Sequence, residues 1–142
     1  MLIADVNIFL YARRKESERH EEYREWLEDA LNGVEPFGVV DQVLASFLRI
    51  VTNHRVYKEP TSPRDALAFC DQVRGAPAAV QVGPGESHWE IFSGIVREAN
   101  LRANLIPDAW LAALSIEAGG TWVTTDAGFG RFARLRWRRP FD

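Results

Sequence analysis

A single cysteine, Cys70, excludes an internal disulfide, and its place beside Leu67 and Val73 on a helical face reads as a buried, inert thiol. Three scattered histidines, His20, His54 and His88, lack the i,i+4 or finger spacing of zinc ligands. Lysine occurs only at positions 15 and 58. No apolar run approaches the roughly 20 residues that cross a bilayer, and the N-terminus lacks a basic start, an apolar stretch and a small-residue cleavage site. The expectation is a cytoplasmic protein with no membrane partner. No nucleophile triad stands out, nor does a glycine-rich phosphate loop. A net charge of −3 supplies no global attraction to polyanions, so such a partner must be held locally or through metal.

What is present is regular punctuation. Leu2–Ala4 reads as a strand that stops at Asp5 and feeds a helix over Ile8–Ala12. His20–Leu31 sets Tyr23, Trp26, Leu27, Ala30 and Leu31 at helical spacing, with acidic residues opposite. A short strand is expected at Phe37–Val40 and a helix from there to Asn53. Pro63–Arg74 reads as a helix capped by Thr61 or Ser62, and Ala79–Val82 as a strand. A helix over Ser87–Asn100 precedes one with Pro107 in its first turn, ending before Gly119-Gly120. Thr121–Thr125 is rich in β-branched residues, and Arg136-Trp137-Arg138 alternates like an edge strand. With 46% hydrophobic residues the chain has enough apolar material for one core. Strands alternating with helices imply a mainly parallel sheet covered on both faces, and one domain over 1–142.

Ligand sites in such sheets lie beyond the carboxyl ends of the strands. Asp5 and Asp126 follow predicted strands and Asp108 opens a helix, so all three carboxylates can face one crevice. Each alone has an ordinary explanation as a cap or turn residue. Together they repel unless a hard divalent cation neutralises them, and oxygen-only ligation suits Mg²⁺ or Mn²⁺. Asn7, two residues beyond Asp5, is positioned to bond a carboxylate or water, or to cap the first helix. Rotation by about 100° per residue puts Gln42, Ser46, Arg49 and Asn53 along one polar helix edge. Arg131, Arg134, Arg136, Arg138 and Arg139 form a basic end, opposite an acidic stretch from Glu16 to Asp29. Arg49, Arg131 and Arg134 are candidates for contact with a nucleic-acid backbone, although a solvated edge strand with protective charges accounts equally for Arg136 and Arg138.

Four segments carry a resemblance to PIN-domain ribonucleases, specifically the VapC toxins of toxin-antitoxin pairs. They are Ala4–Ala12, Phe47–Asn53, Asn104–Leu114 and Thr124–Phe129 with Arg131-Phe132. The resemblance implies an α/β/α sandwich and Mg²⁺- or Mn²⁺-dependent RNA hydrolysis at Asp5, Asp108 and Asp126. It also implies a homodimer and a VapB-type antitoxin as partner. Two positions depart from the pattern: Ser46 stands where the family usually has glutamate, and Gly128 where a further acid is common. A degenerate PIN domain that binds RNA or antitoxin without efficient cleavage is the rival expectation. In the nuclease reading Ser46 supports the site by ligating through a water or orienting one. A phosphoaspartate enzyme with Asp5 as nucleophile ranks third, because neither Lys15 nor Lys58 is placed to neutralise a phosphoryl group.

Overall fold

The computed structural model describes residues 1–142. Its sheet has five strands, all parallel, in the order β3-β2-β1-β4-β5: β1 Leu2–Ala4, β2 Phe37–Val39, β3 Ala79–Gln81, β4 Thr121–Val123 and β5 Trp137–Arg138. Six helices flank it: α1 Val6–Arg13, α2 His20–Asn32, α3 Asp41–Val51, α4 Pro63–Arg74, α5 His88–Ala99 and α6 Leu105–Glu117. Helix α1 packs on α2 and α3, α3 packs on α4, and α5 packs on α6, which also touches β4. The expected α/β architecture is present, and the sheet is wholly parallel.

The strands are short because each needs only to cross the core. Ile3, Phe37, Val39, Trp122 and Val123 are essentially inaccessible, so the runs read as continuously apolar, as parallel strands covered on both faces do. Close strand packing depends on Gly38 and Gly120: a Cβ at either would stand 2.8 Å from Ile3. Helix ends follow ordinary chemistry. Ser62, rather than Thr61, caps α4 by accepting from the Asp65 amide, with Pro63 in the first turn. Thr61 is buried instead and accepts from Arg14 Nη1 at 3.1 Å. After α6, Gly119 takes φ +68°, the left-handed geometry that ends a helix at little cost.

Helix α6 begins two residues before Pro107, at Leu105, placing Asp108 fourth in the helix. Proline is tolerated there because the first four amides have no partner within a helix. The connection into α6 contains two residues with left-handed backbone, Asn100 at φ 50° and Ala103 at φ 50°. Asparagine adopts this geometry readily, whereas alanine does so at a cost of about 1–2 kcal/mol. The tight approach fixes where α6 starts, and with it Asp108.

Strand order reverses between β1 and β4: the chain moves outward through β2 and β3, then returns to the other side of β1. A crevice opens at such a switch point, beyond the carboxyl ends of the two central strands. Asp5 follows β1 there, and the Thr124–Asp126 segment follows β4.

Candidate active site

Asp5 is only 6% exposed. Its backbone amide continues the β1–β4 ladder by donating to the Val123 carbonyl at 2.9 Å. Its carboxylate accepts from the Val6 amide at 2.7 Å through Oδ1 and from the Thr124 hydroxyl at 2.6 Å through Oδ2. Asp5 therefore caps α1 itself, and the alternative of Asn7 as the capping residue is overturned. Asn7 is half-buried in the first turn, and its side-chain amide makes no hydrogen bond within the protein.

Thr124 is fully buried, and the same Oγ1 that donates to Asp5 accepts from the Asp126 amide at 3.0 Å. One hydroxyl thus spaces two of the three aspartates. Asp126 then caps a 3₁₀ turn over Ala127–Arg131, its Oδ1 accepting from the Gly128 amide at 2.8 Å. Thr124 was not singled out from sequence, where it reads as one more β-branched strand residue. The available signal was a polar side chain immediately past a buried strand, two positions before an aspartate.

Electrostatics show the carboxylates sharing one field. Burial pushes the Asp5 carboxyl above its usual range; the Thr124 and Val6 hydrogen bonds pull it back, and the charges of Asp108 and Asp126 push it further up. Asp108, half-buried, is raised first by burial and then by Asp126, while Arg131 acts in the opposite direction. The charges of Asp108 and Asp126 thus reach the Asp5 carboxyl, and Asp126 also reaches Asp108. No group of three carboxylate, imidazole or thiol side chains is arranged to enclose a metal ion. An ion that keeps several waters does not need such a cage, and hard oxygen donors around a buried carboxylate suit Mg²⁺ or Mn²⁺.

The other candidates are less closely tied to the aspartates. Ser46 is half-buried on α3 and Arg49 is exposed in its last turn; neither bonds an aspartate. Gln42, on the same edge of α3, lines a cavity of about 420 Å³ with Gln81 and Trp110, beyond the ends of β2 and β3. Arg131 and Arg134 are exposed and free of ion pairs. Arg131 comes nearest the acids: Nη2 lies 3.3 Å from the point a Cβ on Gly128 would occupy, and Asp126 Oδ1 lies 2.8 Å from it. A side chain at this departure from the family pattern would have to displace the Asp126 carboxylate and crowd the Arg131 guanidinium. Arg136 donates to the Gly119 carbonyl at 2.6 Å, so at least one terminal arginine braces the fold. Cys70 is buried, and its thiol is pushed up to about 11 by that burial, as an inert core cysteine should be.

Comparison with known proteins gives a consistent pattern. The PIN domain family matches residues 2–135. Ribonuclease VapC43 of Mycobacterium tuberculosis is 48% identical over 142 residues, covering 100% of this chain and 97% of that protein. Ribonuclease VapC25 of the same species is 37% identical over 140 residues, 99% of each chain. Among solved structures, VapBC2 from Rickettsia felis bound to a promoter DNA fragment aligns with TM-score 0.71 at 16% identity, over 97% of both chains. M. tuberculosis VapC20, a toxin that cleaves the sarcin-ricin loop, aligns with TM-score 0.64 at 15% identity, over 96% of this chain and 99% of its own. At such identities the structural likeness speaks to fold.

Proposed function

The chain belongs to the PIN-domain family, and from that premise we propose that it is a metal-dependent endoribonuclease of the VapC toxin type, hydrolysing RNA phosphodiester bonds. The observation that carries the reading is the Asp5–Thr124–Asp126 lock at the switch point, with Asp108 in the same field. Capping accounts for Asp5 and Asp126 one at a time, but not for acids in one field, whose mutual repulsion costs stability unless a cation answers it.

Asp5, Asp108 and Asp126 are the residues that would hold the ion, Mg²⁺ or Mn²⁺. When bound, such an ion lowers the pKa of a coordinated water and offsets charge on the phosphate. Thr124 orients Asp5 by donating to Oδ2. Asn7 has a free amide beside Asp5, available to a water or a phosphate oxygen. Arg131 sits at the rim of the acids, where its guanidinium meets phosphate rather than a protein carboxylate. Arg134 and Arg49 extend the positive surface along which an RNA backbone lies, and unpaired, splayed bases select the cut.

A VapB-type antitoxin is the partner this reading implies, with a homodimer of the chain as the active assembly. Relatives named as VapC ribonucleases and a VapBC complex among the structural neighbours support the antitoxin partner. One contiguous core supports treating 1–142 as a single domain. No helix is long and apolar enough to cross a membrane; a cytoplasmic location fits a substrate of cellular RNA.

The test is cleavage of structured RNA with Mg²⁺ or Mn²⁺ by wild type, Asp5→Asn and Asp108→Asn. Loss of cleavage in both variants is expected, and equal activity in all three proteins overturns the assignment. A second reading, a PIN domain that binds without efficient cleavage, is favoured by Ser46 in place of glutamate and by the lack of a three-donor cage. Ser46→Glu separates the two. A dormant site gains metal affinity and activity, whereas a site already completed by water changes little.

A further inference from the structure

A cavity of about 190 Å³ lies between α5, α6 and the segment after Asp126, with walls from Ile95, Ile116 and Phe132 and polar groups Glu98, Arg131 and Arg134 at its edge. It is smaller than the roughly 300 Å³ lower end of drug-sized pockets, so it suits one flat ring rather than a whole nucleotide. Arg131 belongs both to this cavity and to the rim of the acids, where its Nη2 and Asp126 Oδ1 flank Gly128. Neither Arg131 nor Arg134 forms a close ion pair, although the charge of Arg131 reaches Asp108.

We propose that this cavity receives one unpaired RNA base next to the scissile phosphate, with Arg131 and Arg134 on the adjoining backbone and Glu98 accepting from the base. The inference rests on the ribonuclease reading and adds to it a place where sequence is read. Apolar walls cover the faces of the ring, as in single-stranded RNA recognition, where unstacked bases are held on side chains and read on their edges. A glutamate accepts from an exocyclic amino group, as on cytosine, and has no donor for a carbonyl. The site therefore prefers a base that presents an amino group over uracil. Two arginines beside the cavity suit a phosphate on each side of the bound nucleotide.

The test uses the full chain and a single-stranded RNA cut at a mapped position, resynthesised with an abasic nucleotide at each place in turn. Wild type is expected to lose about tenfold or more in kcat/KM at one position adjoining the cut. Ala133 lines the cavity and is exposed, so Ala133→Phe fills the space with little demand on the core. In that variant the ratio of intact to abasic substrate should fall to near one. Glu98→Gln, which adds a donor, should shift the preference at that position toward uracil. No cleavage by wild type defeats the ribonuclease reading and this inference with it. Cleavage with no sensitive position, or with sensitivity unchanged in Ala133→Phe, overturns the pocket alone. Should Ala133→Phe fail to fold, an unaltered base preference in Glu98→Gln overturns it equally.

Discussion

Thr124 Oγ1 donates to Asp5 Oδ2 at 2.6 Å, a buried bond that joins residues 119 positions apart in the chain. The bond lies beyond the β1–β4 ladder and continues it with side chains. Replacing Thr124 by valine keeps the shape and β-branching but removes the donor to the carboxylate and the acceptor of the Asp126 amide. A hydrogen bond to a charged group is worth about 1.5–3 kcal/mol, and Thr124→Val should lose about that much stability by urea denaturation. Its RNA cleavage should fall by an order of magnitude or more, while Thr124→Ser retains most of both.

The pH dependence of the metal-free protein follows from the raised carboxyls. Asp5 and Asp108 titrate above the usual aspartate value of 3.8 in the fold, so the native state binds more protons than the unfolded chain in the window just above that value. Their stabilising contribution is complete below 3.8 and is lost as pH rises through their folded pKa values. Asp108 makes no side-chain hydrogen bond, so Asp108→Asn removes charge and little else. Thermal melts should show this variant more stable than wild type at pH 7 without metal and equal to it near pH 3. Added Mg²⁺ should raise the melting temperature of wild type and leave Asp108→Asn nearly unmoved.

Gly128→Asp restores the acid that the family pattern often carries, yet it should reduce activity. Its Cβ would come within 2.8 Å of Asp126 Oδ1, displacing the carboxylate from the Gly128 amide, and would crowd Arg131 at 3.3 Å. A fall in kcat/KM of about tenfold, comparable with losing one stabilising group, is the expected outcome of steady-state cleavage assays. An increase would mean that the turn opens without cost.

Ala103→Gly should stabilise the protein by up to about 1 kcal/mol, because glycine adopts φ 50° without the clash alanine suffers. Equilibrium urea unfolding measures this directly. Since Ala103 precedes α6 rather than joining the site, cleavage should change far less than stability.

Much of this was legible in sequence because the signals are local. Apolar runs of three or four residues ended by a polar one mark buried parallel strands, and that placed Asp5 and Asp126 at one sheet edge. The helix ends were placed to within two residues; the start of α6 was missed because Pro107 is as acceptable third in a helix as first. What local pattern could not carry was side-chain direction. Asp5 caps α1 where Asn7 was an equal candidate, because the geometry of the β1–α1 corner aims the earlier residue's carboxylate at the Val6 amide. Thr124 and Arg131 owe their importance to neighbours distant in sequence or a turn away, and nothing in a threonine or arginine of itself announces that.

The position of β4 in the sheet also bears on when the chain acquires its chemistry. Strand β4 pairs with β1 on one side and β5 on the other, and it brings in Thr124 and Asp126. During synthesis Asp5 emerges first, and more than a hundred further residues follow before its hydroxyl donor exists. A nascent chain can complete β1, β2 and β3 with their helices and still have half a site. The proposed nuclease therefore gains its full set of acids only once β4 has been made and has paired with β1.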